Sequence, residues 1–153
     1  MKTKPKILQR LINLDAQIVT FIVASLFLVA AQAADLSHGE ELFEDHCAAC
    51  HTVIESVRDK SGPNLSGVYG RKAGTEDYSG GYSEQMAALG VTWEMGTLQA
   101  FVFSPAMMVR GTKMVFRGLA EAEARTDLVC YLERVAKSAD ASLNDLCAEG
   151  RQE

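Results

Sequence analysis

Basic charge is in short supply. The 153 residues carry 15 Lys and Arg against 20 Asp and Glu, a net charge of −5, and no block of like charge stands out. A nucleic-acid or anionic-membrane footprint needs clustered cations, so neither partner is expected. Proline is scarce too, at three residues, and the chain has no Pro-rich linker, no internal repeat and no low-complexity tract. No segment alternates apolar and polar residues as a strand does, which leaves an all-α domain. Apolar residues make up 48% and charged ones 23%, the balance of one ordinary globular domain rather than a disordered tail. There are only three His and four Cys. Yet one His directly follows a Cys pair, and the chemistry is to be sought there.

The first 33 residues stand apart. Lys2, Lys4, Lys6 and Arg10 form a basic start, the stretch from Ala16 to Ala34 is uncharged, and its apolar run ends in Ala31-Gln32-Ala33. This is the build of a signal peptide over 1–33 with a cut after Ala33. Left uncleaved, the same stretch just spans a thin bilayer as an anchor. Either way the domain, 34–153, is expected to be exported to the periplasm, with 138–153 as a C-terminal tail. Losing the leader removes four basic residues and Asp15, leaving 19 acidic and 11 basic side chains, net −8. Export implies an oxidising compartment. There Cys130 and Cys147 can pair; the alternative is a buried thiol at Cys130 and a free one at Cys147.

Local signals place the helices. Ser37 and Glu40 have capping-box spacing, which predicts a helix from Ser37 carrying Gly39, Phe43 and Cys47 on one face. Residues 61–81, rich in Gly, Ser and Asp, read as a long loop. A short helix over 83–89 is expected between a Ser83 cap and Gly90, and a second from Thr92 or Trp93 to Ser104-Pro105. Residues 121–137, with Leu128, Leu132 and Val135 on one stripe, predict the last helix. About 120 residues with such long loops are short of core, and a large bound cofactor would supply the missing apolar mass.

Cys47-Ala48-Ala49-Cys50-His51 indicates which cofactor. At helical spacing the two sulfurs and the imidazole project to one side, as two thioether bonds and one axial nitrogen require. Cys-x-x-Cys-His is the attachment signature of a c-type haem. Three other readings compete. A thioredoxin-like dithiol needs a βαβ unit, a zinc site on Cys47, Cys50, Cys130 and Cys147 needs two ligands 17 residues apart on one side, and a plain Cys pair ignores His51.

The segment Gly39 to Thr52, containing Phe43 and Cys47-Ala-Ala-Cys50-His51, closely resembles the haem-binding segment of the class I cytochrome c family. Gly62-Pro63-Asn64-Leu65, Gly70-Arg71-Lys72, Tyr82-Ser83, Thr92-Trp93, Gly111-Thr112-Lys113-Met114 and Arg125-Thr126-Asp127-Leu128 follow in that family's order. The likeness runs from residue 36 to about 137 and is greatest to the mitochondrial-type branch. It implies the class I cytochrome c fold: a few helices and long loops wrapped around one covalent haem c, with His51 as axial ligand. His38 and His46 precede the motif and are poorly placed for the opposite haem face. The sixth ligand is then a thioether or nothing from the protein, and Met86, Met95, Met107, Met108 and Met114 compete. The resemblance points to Met114, whereas Met86 and Met95 suit core filling. It further implies that the Pro63 carbonyl accepts from His51 Nδ1–H, and that Arg71, Tyr82, Trp93 and Thr112 contact the haem propionates.

Several positions depart from the family. Phe101 stands where a tyrosine is common, Met86 replaces a polar residue, and Arg110 replaces the proline of the methionine loop. The basic ring around the haem edge is thin: His46, Ala106, Met107, Ala120 and Glu121 occupy it, while Lys60 and Lys113 remain. Ala106, Met107 and Met108 are expected to form an apolar patch beside that edge. The resemblance implies a monomeric electron carrier of the respiratory chain, not an enzyme. Its partners would be redox proteins: a membrane quinol-oxidising complex, a terminal oxidase or a periplasmic dehydrogenase. The alternative is the haem subunit of a dehydrogenase or a peroxidase-like enzyme.

Overall fold

Helix packing around one long cleft organises the chain. The computed structural model describes residues 34–136 and Cys147; the expected leader over 1–33 and the rest of the expected tail lie outside the described residues. Helix α1 spans Leu36–His46, α2 Glu84–Ala87, α3 Met95–Phe103, α4 Pro105–Met108 and α5 Ala122–Ala136. Among the described residues the only extended pairing is an isolated antiparallel bridge between Lys72 and Thr92. The fold is all-α, as expected.

The cap of α1 differs from the expected one. Asp35, not Ser37, stands at the N-cap, and its carboxylate accepts from the N–H groups of Ser37 (2.9 Å) and His38 (3.1 Å). Those donors hold the Asp35 carboxyl below its ordinary value, with the His38 N–H the largest cause. Ser37 lies inside the first turn, where its hydroxyl cannot cap. The Ser83 cap is present: its oxygen accepts from Met86 N–H at 3.2 Å. Helix α3 starts at Met95 rather than at Thr92 or Trp93, because those two are drawn into extended pairing. Trp93 N–H donates to Arg71 O at 2.9 Å, and Gly70 N–H to Trp93 O at 2.7 Å. Helix α4 was not expected; Pro105, which stops α3, also starts a new turn at N1, where its missing N–H costs nothing.

α1 crosses α5 at Gly39. A Cβ there would lie 2.3 Å from Asp127 O and 2.9 Å from Tyr131 Cβ, so only glycine permits the approach. One turn on, Phe43 packs its ring 5.7 Å from that of Tyr131. Polar bonds lock the crossing. Asp127, 3% exposed, accepts from Asp35 N–H at 2.8 Å and pairs with His38 Nδ1 at 2.8 Å. Beneath lie Leu128, Val129, Leu132, Leu98, Val102 and Leu119, all buried. A second small cluster joins Ala34 to the Cys130–Cys147 disulfide, with Leu36 and Met95 packed against it. Of the two cysteine readings, pairing is the one the structure shows.

Two consequences can be measured. The bridge closes a separation of 17 residues, for which chain entropy gives about 3 kcal/mol. Urea unfolding of Cys147→Ser is expected to show a loss of that order. The pair with Asp127 raises the His38 pKa above 6.5, its hydrogen bond being the largest cause. The stabilisation is therefore fully present below 6.5 and fades as pH rises through the raised value. The stability gap between wild type and His38→Ala is expected to be widest at mildly acid pH, while Asp127 is ionised, and to narrow in mild alkali.

Candidate functional site

The site begins where α1 ends. Cys47 is the C-cap of α1, and the motif expected on a helix continues in a turn instead. Cys50 N–H (3.0 Å) and His51 N–H (2.9 Å) both donate to Cys47 O. One helical turn is thus kept, so the i, i+3 and i, i+4 offsets survive although the helix does not. The following loop is built inward. Gly62 N–H donates to Cys50 O at 2.8 Å and Leu65 N–H to Thr52 O at 2.7 Å. Buried Asn64 ties it together, donating through Nδ2 to Ile54 O and Val57 O, both at 2.9 Å.

This turn and loop hold His51. Its Nδ1 lies 2.8 Å from Pro63 O, a bond that places the proton on Nδ1 and leaves Nε2 as the basic nitrogen. Burial lowers the His51 pKa, while the Pro63 carbonyl pulls the other way. The ring is therefore neutral at pH 7, the form that binds a metal. Gly62 packs flat on it: a Cβ would stand 2.5 Å from His51 Cε1. Cys47 is buried and Cys50 exposed, and neither is in a disulfide. Burial, with Cys50 adding to it, pushes the Cys47 thiol up to about 11. At neutral pH it stays protonated.

All nine residues singled out from the sequence line one cleft: Cys47, Cys50, His51, Pro63, Arg71, Tyr82, Trp93, Thr112 and Met114. Its free space, counting the open mouth, is about 1490 Å³. Leu65, Val68, Leu98, Phe101, Val102, Leu128 and Leu132 supply apolar walls. Trp93 is buried and its ring stands 5.0 Å from that of Phe101. Tyr82 is half-buried, which raises its pKa, and meets Tyr78 edge-on with centroids 5.7 Å apart. The methionine loop is strapped across the cleft. Lys113 Nζ donates to Gly80 O (3.1 Å) and Gly81 O (3.0 Å), and Met114 N–H donates to Thr112 Oγ1 at 3.2 Å. Of the five competing methionines only Met86 and Met114 line the cleft, Met86 from within α2.

Three expectations need correction or addition. Ala106 and Met107 are exposed, but Met108 packs against the core and none of the three lines the cleft. The exposed apolar residue at the mouth is Val115, beside half-buried Phe116. The reason is α4, which carries 105–108 away as a helical turn. Arg71 has a partner already: its guanidinium pairs with Glu76 and donates to Ser66 O (3.1 Å) and Asn64 O (3.0 Å). Glu76 and Tyr78, both on the cleft wall, went unnoticed because the 61–81 loop has no period to orient a side chain.

A long apolar cleft, a neutral buried imidazole and two free thiols one turn apart fit a flat, largely apolar ring with two edge attachments and a metal at its centre. That combination defines a c-type haem protein. The sequence profile "Cytochrome c" matches residues 36–136. Cytochrome c of Theileria parva is 40% identical over 108 residues, covering 71% of this chain and 92% of that protein. For cytochrome c of Cannabis sativa the identity is 41% over 105 residues, covering 67% and 92%, and for that of Chlamydomonas reinhardtii 40% over 104, covering 68% and 92%. The chain belongs to the cytochrome c family, whose members carry electrons on one haem c held through two cysteines. Among the described residues no helix is long and apolar enough to cross a membrane.

Gly62→Ala is expected to push the His51 ring off the Pro63 carbonyl and to lower stability by about 1–3 kcal/mol, as overpacking does. Denaturant unfolding of the holoprotein measures this. An unchanged midpoint would mean that the ring has room to yield.

Proposed function

We propose that the protein is an exported one-electron carrier in which Cys47 and Cys50 form the thioethers and His51 and Met114 are the iron ligands. The observation that supports this most is the His51 bond to Pro63 O at 2.8 Å within a cleft that Met114 also lines. The haem supplies a ferrous/ferric couple. The chain does the rest by position. Pro63 fixes the His51 tautomer and raises its basicity. Thr112 and the Lys113 strap hold the Met114 backbone, so the thioether is presented rather than found. The leucine and valine walls exclude water and, with a soft thioether ligand, favour the reduced iron. Arg71, Tyr82, Trp93 and Thr112 place donors on the same cleft for the haem carboxylates.

With both His51 and Met114 holding the iron, no coordination position would be left for a substrate, which supports a carrier rather than an enzyme. The basic start, apolar run and Ala31-Gln32-Ala33 of the leader support a periplasmic location. The partners are then a membrane quinol-oxidising complex, a terminal oxidase or a periplasmic dehydrogenase, met by a monomer. With so few cations about the mouth, fully exposed Val115 offers apolar contact there.

Met114→His tests the ligand set. The variant is expected to keep its covalent haem and to show a lower midpoint potential, because imidazole stabilises ferric iron better than a thioether. An unchanged potential and visible spectrum would transfer the role to Met86.

A further inference from the structure

The loop that leads from Arg71 to Glu76 is fixed to the rest of the fold. Ala73, fully buried, donates its N–H to Val91 O at 2.8 Å, next to the Lys72–Thr92 bridge. Thr75 Oγ1 closes the turn by donating to Lys72 O at 2.7 Å. The backbone thus delivers the Glu76 carboxylate to Arg71 at the cleft wall. The guanidinium is also held by Ser66 O and Asn64 O, to which it donates. Three of its N–H donors are spent on those two carbonyls and Glu76, of the five it has. The side chains are 19% and 33% exposed, so solvent does not screen the pair as it would a surface contact.

We propose that Glu76 is a positioning residue that cancels the charge of Arg71 at the cleft, so that the two set the reduction potential as one neutral unit. The inference rests on the haem reading above and extends it to a residue with no place in the sequence pattern. A cation beside the cleft disfavours the ferric, more positive state, and an anion favours it. An uncompensated Arg71 would therefore raise the potential; with Glu76 beside it, the wall presents nearly no net charge. The recognition of a haem carboxylate at Arg71 is weakened by the same competition.

Equilibrium redox titration of the holoprotein in three variants tests this. Glu76→Gln leaves Arg71 uncompensated and is expected to raise the midpoint potential. Arg71→Gln leaves the carboxylate uncompensated and is expected to lower it. The double variant replaces a neutral pair by a neutral pair and is expected to recover from Arg71→Gln toward wild type, and Glu76→Asp to stay nearer wild type than Glu76→Gln. A bystander carboxylate would behave otherwise: Glu76→Gln would match wild type and the double variant would match Arg71→Gln. That result overturns the proposal and leaves the haem reading standing. A wild-type protein with no reversible one-electron couple would overturn both.

Discussion

The close approach of α1 to α5 at Gly39 decides where the rest of the site can be. With no side chain between them, the helices meet backbone to backbone, and Asp127 ties the start of α1 to the middle of α5. That fixes the direction in which α1 runs out, and hence where the Cys47–His51 turn delivers two thiols and an imidazole. The same α5 sends Leu128 and Leu132 to the opposite job, as cleft wall. A scaffold contact and a site wall are therefore built from adjacent residues of one helix. Displacing the crossing would move the attachment points and the surface against which the ring packs together.

The loops do what helices cannot. Pro63, Arg71 and Tyr82 reach the cleft from the connection between α1 and α2, and the 111–114 turn from that between α4 and α5, each held by its own small set of bonds. Asn64 serves the first, the Lys72–Thr92 bridge the second and Lys113 the last. Long loops in a small domain would ordinarily cost stability without return. Here they line a cleft whose apolar walls acquire a partner once the ring is in place, which is why the core looked too small for the chain. The disulfide adds a staple from Cys130, in the middle of α5, packed beside Ala34.

Much of this was legible in the sequence, because the signals were chemical or periodic. Cys47-x-x-Cys50-His51 carries its own geometry, and the stripe of Leu128 and Leu132 marks α5 almost to its ends. Where two local rules competed, the reading failed. Ser37 has the spacing of a cap, but the Asp35 carboxylate accepts the free N–H groups of Ser37 and His38 and takes the cap two residues earlier than the pattern implies. Trp93 could open a helix, but pairing with Arg71 holds it extended. Pro105 marks a stop in the pattern and in the fold also starts α4. Glu76 escaped altogether, since an aperiodic loop gives no hint of which side chains turn inward.

Every role given to the cleft depends on one covalent fact, that the turn after α1 holds the haem. Mass mapping of proteolytic peptides from the purified protein measures it directly. The peptide containing Cys47 and Cys50 is expected to carry the mass of one haem through two thioethers, with neither thiol alkylatable, while Cys130 and Cys147 are recovered as a disulfide-linked pair. Free thiols at Cys47 and Cys50, or a disulfide between them, would contradict it.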